Sequence, residues 1–318
     1  MKKIVNLTHH DLDGIVSHII VTKVFGKENI IDYHCGYGKI INQLNKMVDI
    51  KDKYDIDTVI VTDMALEPYH LKILTTNFDK VIVIDHHQTS EIFLDKQIPK
   101  KLKVIYDNTK CGALLTYEFF ENKLNKKYNL KELANLYKLV MLANDYDLWK
   151  LKDNKSYILN EVFWSYGWDK FYSKFKNGFI EHTPENVKMV KNKIKIKKDY
   201  LKSADKELIG DKGVFILDIE SSKDSISNDI TLFLKDYNFY FVYLPKTNQI
   251  SIRVRNVENV NIAESMNRVL NQESNVKSYG GHPFAGGFIL EEDIKEDKFY
   301  GIIEELYDDM NKVANNIL

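Results

Sequence analysis

Five short β-branched runs, Ile4–Thr8, Ile30–His34, Thr58–Thr62, Val81–Ile84 and Val104–Tyr106, recur along the first third of the chain. Between them lie stretches with helical patterning, such as Ile15–Phe25 and Leu71–Asn77. Alternation of this kind leaves few choices: parallel strands need long crossovers, and the crossover helices must bury their apolar sides against the sheet. The fold class expected is α/β, with an N-terminal doubly wound, mostly parallel sheet.

The strand signal then fades into helical segments, Ala113–Asn122, Leu130–Asp145 and roughly Tyr157–Phe175. Thr183-Pro184-Glu185 reads as a helix start: a capping residue, proline in the first turn, then an acid. The lysine-rich helix that follows, to about Glu207, reads as a solvated connecting helix. Gly210-Asp211-Lys212-Gly213 resets the pattern. A smaller α/β domain is expected after it, with strands at Val214–Ile219, Phe239–Leu244, Ile250–Val254 and Phe284–Leu290. Its helices are expected near Ile226–Lys235, Ile262–Leu270 and Lys295–Asn315. The expected domains are residues 1–182, a connecting segment 183–211, and residues 212–318.

Composition narrows the function classes. A length of 318 residues suffices for two cores, and 44% hydrophobic with 29% charged residues fits a soluble globular protein. No apolar run reaches membrane-spanning length, and the opening MKKIVNLTHHDLDG has no signal-peptide pattern. Two cysteines, Cys35 and Cys111, make no disulfide framework, so a cytoplasmic setting is expected. A net charge of −1 supplies no global basic field for long nucleic acid, which points to a small or short substrate.

In open parallel sheets, ligands bind outside the carboxyl ends of the strands. After Ile4–Thr8 come His9, His10, Asp11 and Asp13; after Thr58–Thr62 comes Asp63; after Val81–Ile84 come Asp85, His86 and His87. A fourth acidic group, NDYDLW, spans Asn144 to Trp149 and holds Asp145 and Asp147. Carboxylates crowded on one rim repel unless cations neutralise them. Oxygen and imidazole donors without thiolate suit manganese, magnesium or zinc, with the mixed set leaning to manganese. The number of candidate ligands fits two ions sharing a carboxylate, an arrangement that activates water and stabilises the leaving oxygen in phosphate-ester hydrolysis.

These motifs resemble those of the DHH phosphoesterases: HxDxDG at His9–Gly14, the aspartate of VTDMAL, and DHH at Asp85–His87. SYGGHPFAGGF, Ser278–Phe288, resembles the glycine-rich signature of the DHH-associated C-terminal domain. The resemblance implies that His9 and Asp11 hold one metal, Asp13 and His86 the other, and Asp63 bridges them. It gives a further ligand to the fourth motif, Asp147 favoured and Asp145 the alternative. It places Asp85 behind a ligand histidine, His87 near the phosphate, and leaves His10 without a ligand role. Two divalent ions, manganese first and magnesium second, are the cofactors implied.

The second domain is expected to bind substrate. Gly280 and Gly281 would let backbone N–H groups approach a phosphate, and His282 would add a donor. The chain has only three arginines, Arg253, Arg255 and Arg268. Arg253 and Arg255, spaced i and i+2, are expected to share one face of a strand and clamp phosphate. ANDYDLW with LNEVFWSYGWDKFYSKF, Leu159–Phe175, is similar to the nano-RNase, or short-oligoribonuclease, branch. Phe163, Trp164, Tyr166 and Trp168 read first as core and second as a base-stacking cluster. The function expected is hydrolysis of very short oligonucleotides to mononucleotides, with the second domain closing over the first. A short single-stranded oligonucleotide or dinucleotide is the expected partner, with no membrane or long duplex and a homodimer left open. The alternatives are a cyclic or linear di-adenylate phosphodiesterase, a 3′-phosphonucleotide phosphatase, or a nucleotide-sequestering protein without turnover.

Overall fold

The β-branched runs pair as parallel strands in the computed structural model, which describes residues 3–87, 90, 99–203, 205–209, 212–216, 226–255, 257, 259–282, 285–291 and 294–315. Two compact units emerge, Met1–Val190 and Lys191–Leu318. In the first, the strands are β1 (Ile4–His9), β2 (Ile30–Cys35), β3 (Thr58–Thr62), β4 (Lys80–Asp85) and β5 (Leu102–Tyr106). They are ordered β2-β1-β3-β4-β5, and every neighbouring pair is parallel. The helices between them are α1 (Leu12–Phe25), α2 (Ile40–Ile50) and α3 (Pro68–Asn77). The order reverses direction between β1 and β3, the point at which a doubly wound sheet opens a crevice.

Alternation along the strands separates two faces. Val5, Leu7, Val59, Val61, Val81 and Val83 pack with Ile40, Leu44 and Met47 of α2 and Leu71 and Leu74 of α3. On the other face, α1 is buried on almost all sides. This explains its weak helical periodicity, since a helix enclosed by sheet and neighbouring helices has no polar side to keep in water. Behind it run α4 (Gly112–Asn125), α5 (Leu130–Asp147), α6 (Asn154–Tyr166) and α7 (Trp168–Phe175). Asn129 caps α5 through a reciprocal pair with Glu132, worth about 1 kcal/mol. The segment expected as one helix over 157–175 is broken at Gly167, whose φ of 71° ends α6 and starts α7.

The second unit holds a six-stranded sheet ordered β10-β11-β9-β8-β7-β6. Its strands are β6 (Asp205–Ile209), β7 (Lys212–Ile216), β8 (Phe239–Leu244), β9 (Gln249–Val254), β10 (Val276–His282) and β11 (Ala285–Leu290). Only β7 and β8 pair in parallel among them. The connecting helix α8 (Pro184–Ser203) stops short of Glu207, because Asp205–Ile209 pairs antiparallel with β7 as β6. Sheet pairing there overrides the helix preference of a Lys/Glu-rich stretch. The strand expected over 214–219 ends at Ile216, with residues 217–219 outside the described residues, as is Phe284 of the strand expected over 284–290. Helices α9 (Ile226–Phe233), α10 (Ile262–Leu270) and α11 (Glu296–Ala314) complete the unit. Ile262, Met266, Ile303 and Leu306 cover one face of the sheet, and Leu201 and Ile230 pack against Tyr240 and Val242 on the other. Among the described residues no helix is long and apolar enough to cross a membrane.

One buried polar pair ties α1 to the sheet. Asn6 donates through Nδ2 to the Ile60 carbonyl, so its Oδ1 accepts from Nδ1 of His18 at 2.8 Å. Burial, opposed by Asp32, lowers the His18 pKa from 6.5 to about 4. The folded state therefore resists a proton that the unfolded chain accepts. Stability is complete above pH 6.5 and falls as pH drops towards 4, by up to about 1.4 kcal/mol per pH unit. Urea melts of wild type and His18→Gln across this window should diverge, the variant showing the flatter acid limb; parallel curves would remove His18 from the account.

Candidate metal centre

Three strand ends and one helix end converge at the crevice. His9 closes β1, Asp11 and Asp13 open α1, Asp63 follows β3, Asp85 closes β4 with His86 and His87 next, and Asp147 ends α5. Asp11 caps α1, its Oδ1 accepting from Gly14 N–H at 2.8 Å while Oδ2 meets His9 Nδ1 at 2.8 Å. The glycine of the motif is required by this approach: a Cβ there would lie 2.0 Å from the His9 carbonyl oxygen.

Three sets of donor atoms lie within 4.8 Å of one another: His9, Asp11 and Asp63; Asp13, His86 and Asp147; and Asp63, His86 and His87. Asp63 belongs to two of them. Nε2 of His86 stands 3.3 Å from Asp63 Oδ1, 3.5 Å from Asp147 Oδ2 and 3.9 Å from Asp13 Oδ2. Asp63 also has a φ of 53°, in the left-handed region that costs a non-glycine residue roughly 1 kcal/mol or more. The peptide still joins the sheet through Asp63 N–H to the Ile84 carbonyl at 2.9 Å.

The electrostatics are those of a site built for cations. Burial, with Asp13, Asp11 and Asp147 near, pushes the Asp63 carboxyl well above its usual range. Burial and Asp147 push Asp13 up to about 6, and burial and Asp11 push Asp147 up to about 7. Asp11 goes the other way, since His9 outweighs its burial. Burial holds His86 down at about 4. Among the described residues no hydrogen-bond partner satisfies Oδ2 of Asp63 or Oδ2 of Asp147, although both atoms are buried. Imidazole and carboxylate donors, two unsatisfied buried oxygens and a carboxylate common to two sets fit a pair of divalent ions.

The remaining residues sort by what they touch. Asp145 is occupied, accepting from the N–H groups of Lys152 and Asp153 and from Ser156 Oγ at the start of α6. Asp147 is the aspartate of NDYDLW that faces the cluster. Asp85 clamps His87 rather than His86: its Oδ1 lies 2.7 Å from His87 Nδ1, and Ser90 Oγ donates to Oδ2. Burial opposes a charge on His87, but Asp85 outweighs it and raises the pKa to about 9. His10 enters none of the three sets.

In the second unit, Arg253 donates through one guanidinium nitrogen to the Ile252 and Gly286 carbonyls at 2.7 and 3.1 Å. Arg255 lies one residue past β9, its backbone N–H still bonding to the Asn238 carbonyl. Gly280 and Gly281 are strand residues of β10 opposite Gly287 and Gly286. The Cβ position of Gly281 is filled by Gly286 Cα at 2.5 Å, whereas nothing lies within 4 Å of that of Gly280. The His282 side chain lies outside the described residues. Of the aromatic cluster, Phe163 and Trp168 are buried and Trp164 and Tyr166 are partly exposed.

Sequence reasoning missed the support for Asp13. The first N–H groups of α4 grip it: Gly112 N–H donates to Oδ2 at 2.6 Å and Ala113 N–H to Oδ1 at 2.8 Å. Buried Asn144 sets that helix end by accepting from Cys111 N–H at 2.9 Å. A Cβ at Gly112 would stand 2.7 Å from Asp63 Cβ and 2.9 Å from Asp13 Oδ2. The only trace in the sequence is a glycine just before a helical run, 99 residues from its partner.

Residues 3–143 match the DHH family, N-terminal domain. The chain is 26% identical over 189 residues to oligoribonuclease NrnB of Bacillus subtilis (strain 168), a match covering 55% of this chain and 45% of that protein. The chain thus spans less than half of the length of that curated relative. RecJ from Thermus thermophilus, solved with Mn2+, has a similar fold: TM-score 0.55 at 14% identity, over 98% of this chain and 52% of that one. So does PggH, a pGpG-specific phosphodiesterase from Vibrio cholerae: TM-score 0.53 at 14% identity, over 96% of this chain and 100% of that one.

Gly112→Ala should displace Asp13 and weaken Mn2+ binding by about 10–100-fold, read by calorimetric titration. In wild type, Mn2+ at a hundredfold excess over Kd should add about 2.7 kcal/mol of stability, a rise of several degrees in Tm that EDTA reverses. A Tm indifferent to Mn2+ in wild type would exclude the ion site.

Proposed function

We propose, from the match of residues 3–143 to the DHH family, N-terminal domain, that this chain is a metal-dependent phosphodiesterase that hydrolyses very short oligonucleotides to mononucleotides. The observation that carries the reading is Asp63, common to the set with His9 and Asp11 and the set with His86 and His87. His9 and Asp11 would hold one divalent ion and Asp13, His86 and Asp147 the other, with Asp63 between them. Bound there, two ions, manganese first and magnesium second, would activate a water and stabilise the leaving oxygen.

The protein's own groups do the positioning. The α4 N-terminus holds Asp13 at both oxygens, and Asp85 with Ser90 fixes the His87 ring. We assign His87, which also completes the Asp63–His86 donor set, to donation to a phosphoryl oxygen, its ring held by Asp85. We assign residues 1–182 to catalysis, 183–211 to connection and 212–318 to substrate binding, with Arg253, Arg255, Gly280, Gly281 and His282 as phosphate contacts. The place of Arg253 on β9, opposite Ala285 of the glycine-rich β11, and the open side of Gly280 support that assignment.

The low net charge supports a small substrate. With a net charge of −1, few phosphates find partners, which favours a substrate of two to a few nucleotides. Two names among the relatives support this class, an oligoribonuclease and a phosphodiesterase specific for pGpG. The purified chain with Mn2+ should cleave a 5′-labelled diribonucleotide faster than long single-stranded RNA, cyclic di-adenylate or a 3′-phosphonucleotide. Asp63→Asn should reduce turnover to background. Preference for another of these substrates would replace the oligonucleotide reading, and tight binding without cleavage would make the protein a sequestering module.

A further inference from the structure

Beside the candidate metal ligands lies an aromatic arrangement outside the three donor sets found among the described residues. His10, between His9 and Asp11, contacts His34 at the end of β2, with the two Nδ1 atoms 2.7 Å apart. The ring centroids are 4.7 Å apart, and the planes differ by 28°. Both imidazoles lie nearly parallel to the Trp168 indole, His34 at 4.0 Å and 14°, His10 at 5.5 Å and 19°. Ring nitrogens in hydrogen-bond contact, with both rings parallel to a common plane, describe two imidazoles side by side on one indole. Trp168 is buried, whereas His10 and His34 both keep partial exposure. Trp164 stands edge-on to His10 at 6.1 Å and 65°, and is itself partly exposed.

We infer that the His10–His34 pair is a stacking floor for one nucleobase of the substrate, with Trp164 as its side wall. The inference rests on the proposed phosphodiesterase activity and names the part of the substrate that this surface reads. A hydrogen-bonded pair of imidazoles presents a surface close in size to a base, and Trp168 beneath holds both rings within 19° of its own plane. Trp168 covers one face of the pair and Phe163 stands tilted to His10 at 5.8 Å and 58°, so a base would use the exposure that the two imidazoles keep beyond these rings. Position supports the same occupant: His10 is bonded in sequence to His9 and Asp11, so a base on the floor belongs to a nucleotide whose phosphate reaches that cluster. Lys39 lies close enough to act on His10 electrostatically and is exposed, which suits an anionic ligand. Stacking of this kind tolerates every base, since each has a π face. The floor therefore separates nucleotides from other phosphate esters rather than one base from another.

The test compares a diribonucleotide with its singly abasic analogues, in wild type, His34→Ala and His34→Phe, with Mn2+. Removing the stacked base should lower kcat/KM about tenfold in wild type, mostly through KM. His34→Ala should erase the difference between the two substrates, and His34→Phe should restore it. A 2-aminopurine dinucleotide, bound with Ca2+ in place of Mn2+, should be quenched by wild type and His34→Phe and not by His34→Ala. Turnover with neither abasic analogue impaired in wild type overturns the floor and leaves the phosphodiesterase standing. Quenching that depends on His34 without any turnover keeps the floor and overturns the phosphodiesterase. The abasic comparison in wild type decides the matter even if His34→Ala fails to fold.

Discussion

Four aspartates, Asp11, Asp13, Asp63 and Asp147, are gathered into overlapping donor sets at one crevice, Asp11 with Asp63 and Asp13 with Asp147, with Asp13 and Asp63 buried and the other two partly so. Everything at the crevice answers this crowding. Two like charges about 4 Å apart repel by about 4 kcal/mol even at an effective dielectric of about 20. Burial first, and this crowding second, push Asp13 up to about 6 and Asp147 up to about 7. The left-handed backbone of Asp63 belongs to the same picture. It turns the chain at the end of β3 so that one carboxylate reaches both halves of the cluster.

The fold puts the aspartates there by topology. In the order β2-β1-β3-β4-β5, the β1 and β3 ends flank the crevice and β4 lies next to them. Each delivers its next residues to the same edge, and α1, launched from β1, carries Asp11 and Asp13 in its first turn. The flat layer of His10, His34 and Trp168 follows from the same order, because β2 neighbours β1 and brings His34 opposite Thr8. A chemical centre and a ring surface beside it are thus consequences of one strand order.

Much of this was legible in the sequence because it is local. The five parallel strands were expected within one or two residues of their observed ends, as period and β-branching are read over a few positions. Acids and histidines following strands needed only the rule that ligands gather at carboxyl ends. What escaped was long-range or depended on a competing partner. β6 reads as helix until it finds β7, and β10 carries no strand expectation until its glycines lie opposite those of β11. Asp145 and Asp147 are both acids near an α5 end; what separates them is that the backbone N–H groups of Lys152 and Asp153 and the Ser156 hydroxyl claim Asp145. Gly112 and Asn144 act on Asp13 across the fold, and nothing in their own neighbourhoods announces it.

The helix ends sharpen the case for cations. Two helix N-termini point at the cluster: α1 is capped by Asp11 and α4 grips Asp13. A helix terminus stabilises an adjacent anion by about 0.3–1 kcal/mol, and by about 2 kcal/mol in favourable buried geometry. Two of them offset roughly one of the like-charge contacts among the four aspartates. His9 offsets a second through Asp11, while His86, at about 4, stays neutral. His87, raised against its burial to about 9 by Asp85, also favours charge on Asp147, yet among the described residues Oδ2 of Asp63 and Oδ2 of Asp147 stay buried without a hydrogen bond. Positive charge deliverable to both sides of Asp63 answers that need, whereas protons meet it only at the loss of the carboxylates' ability to bind.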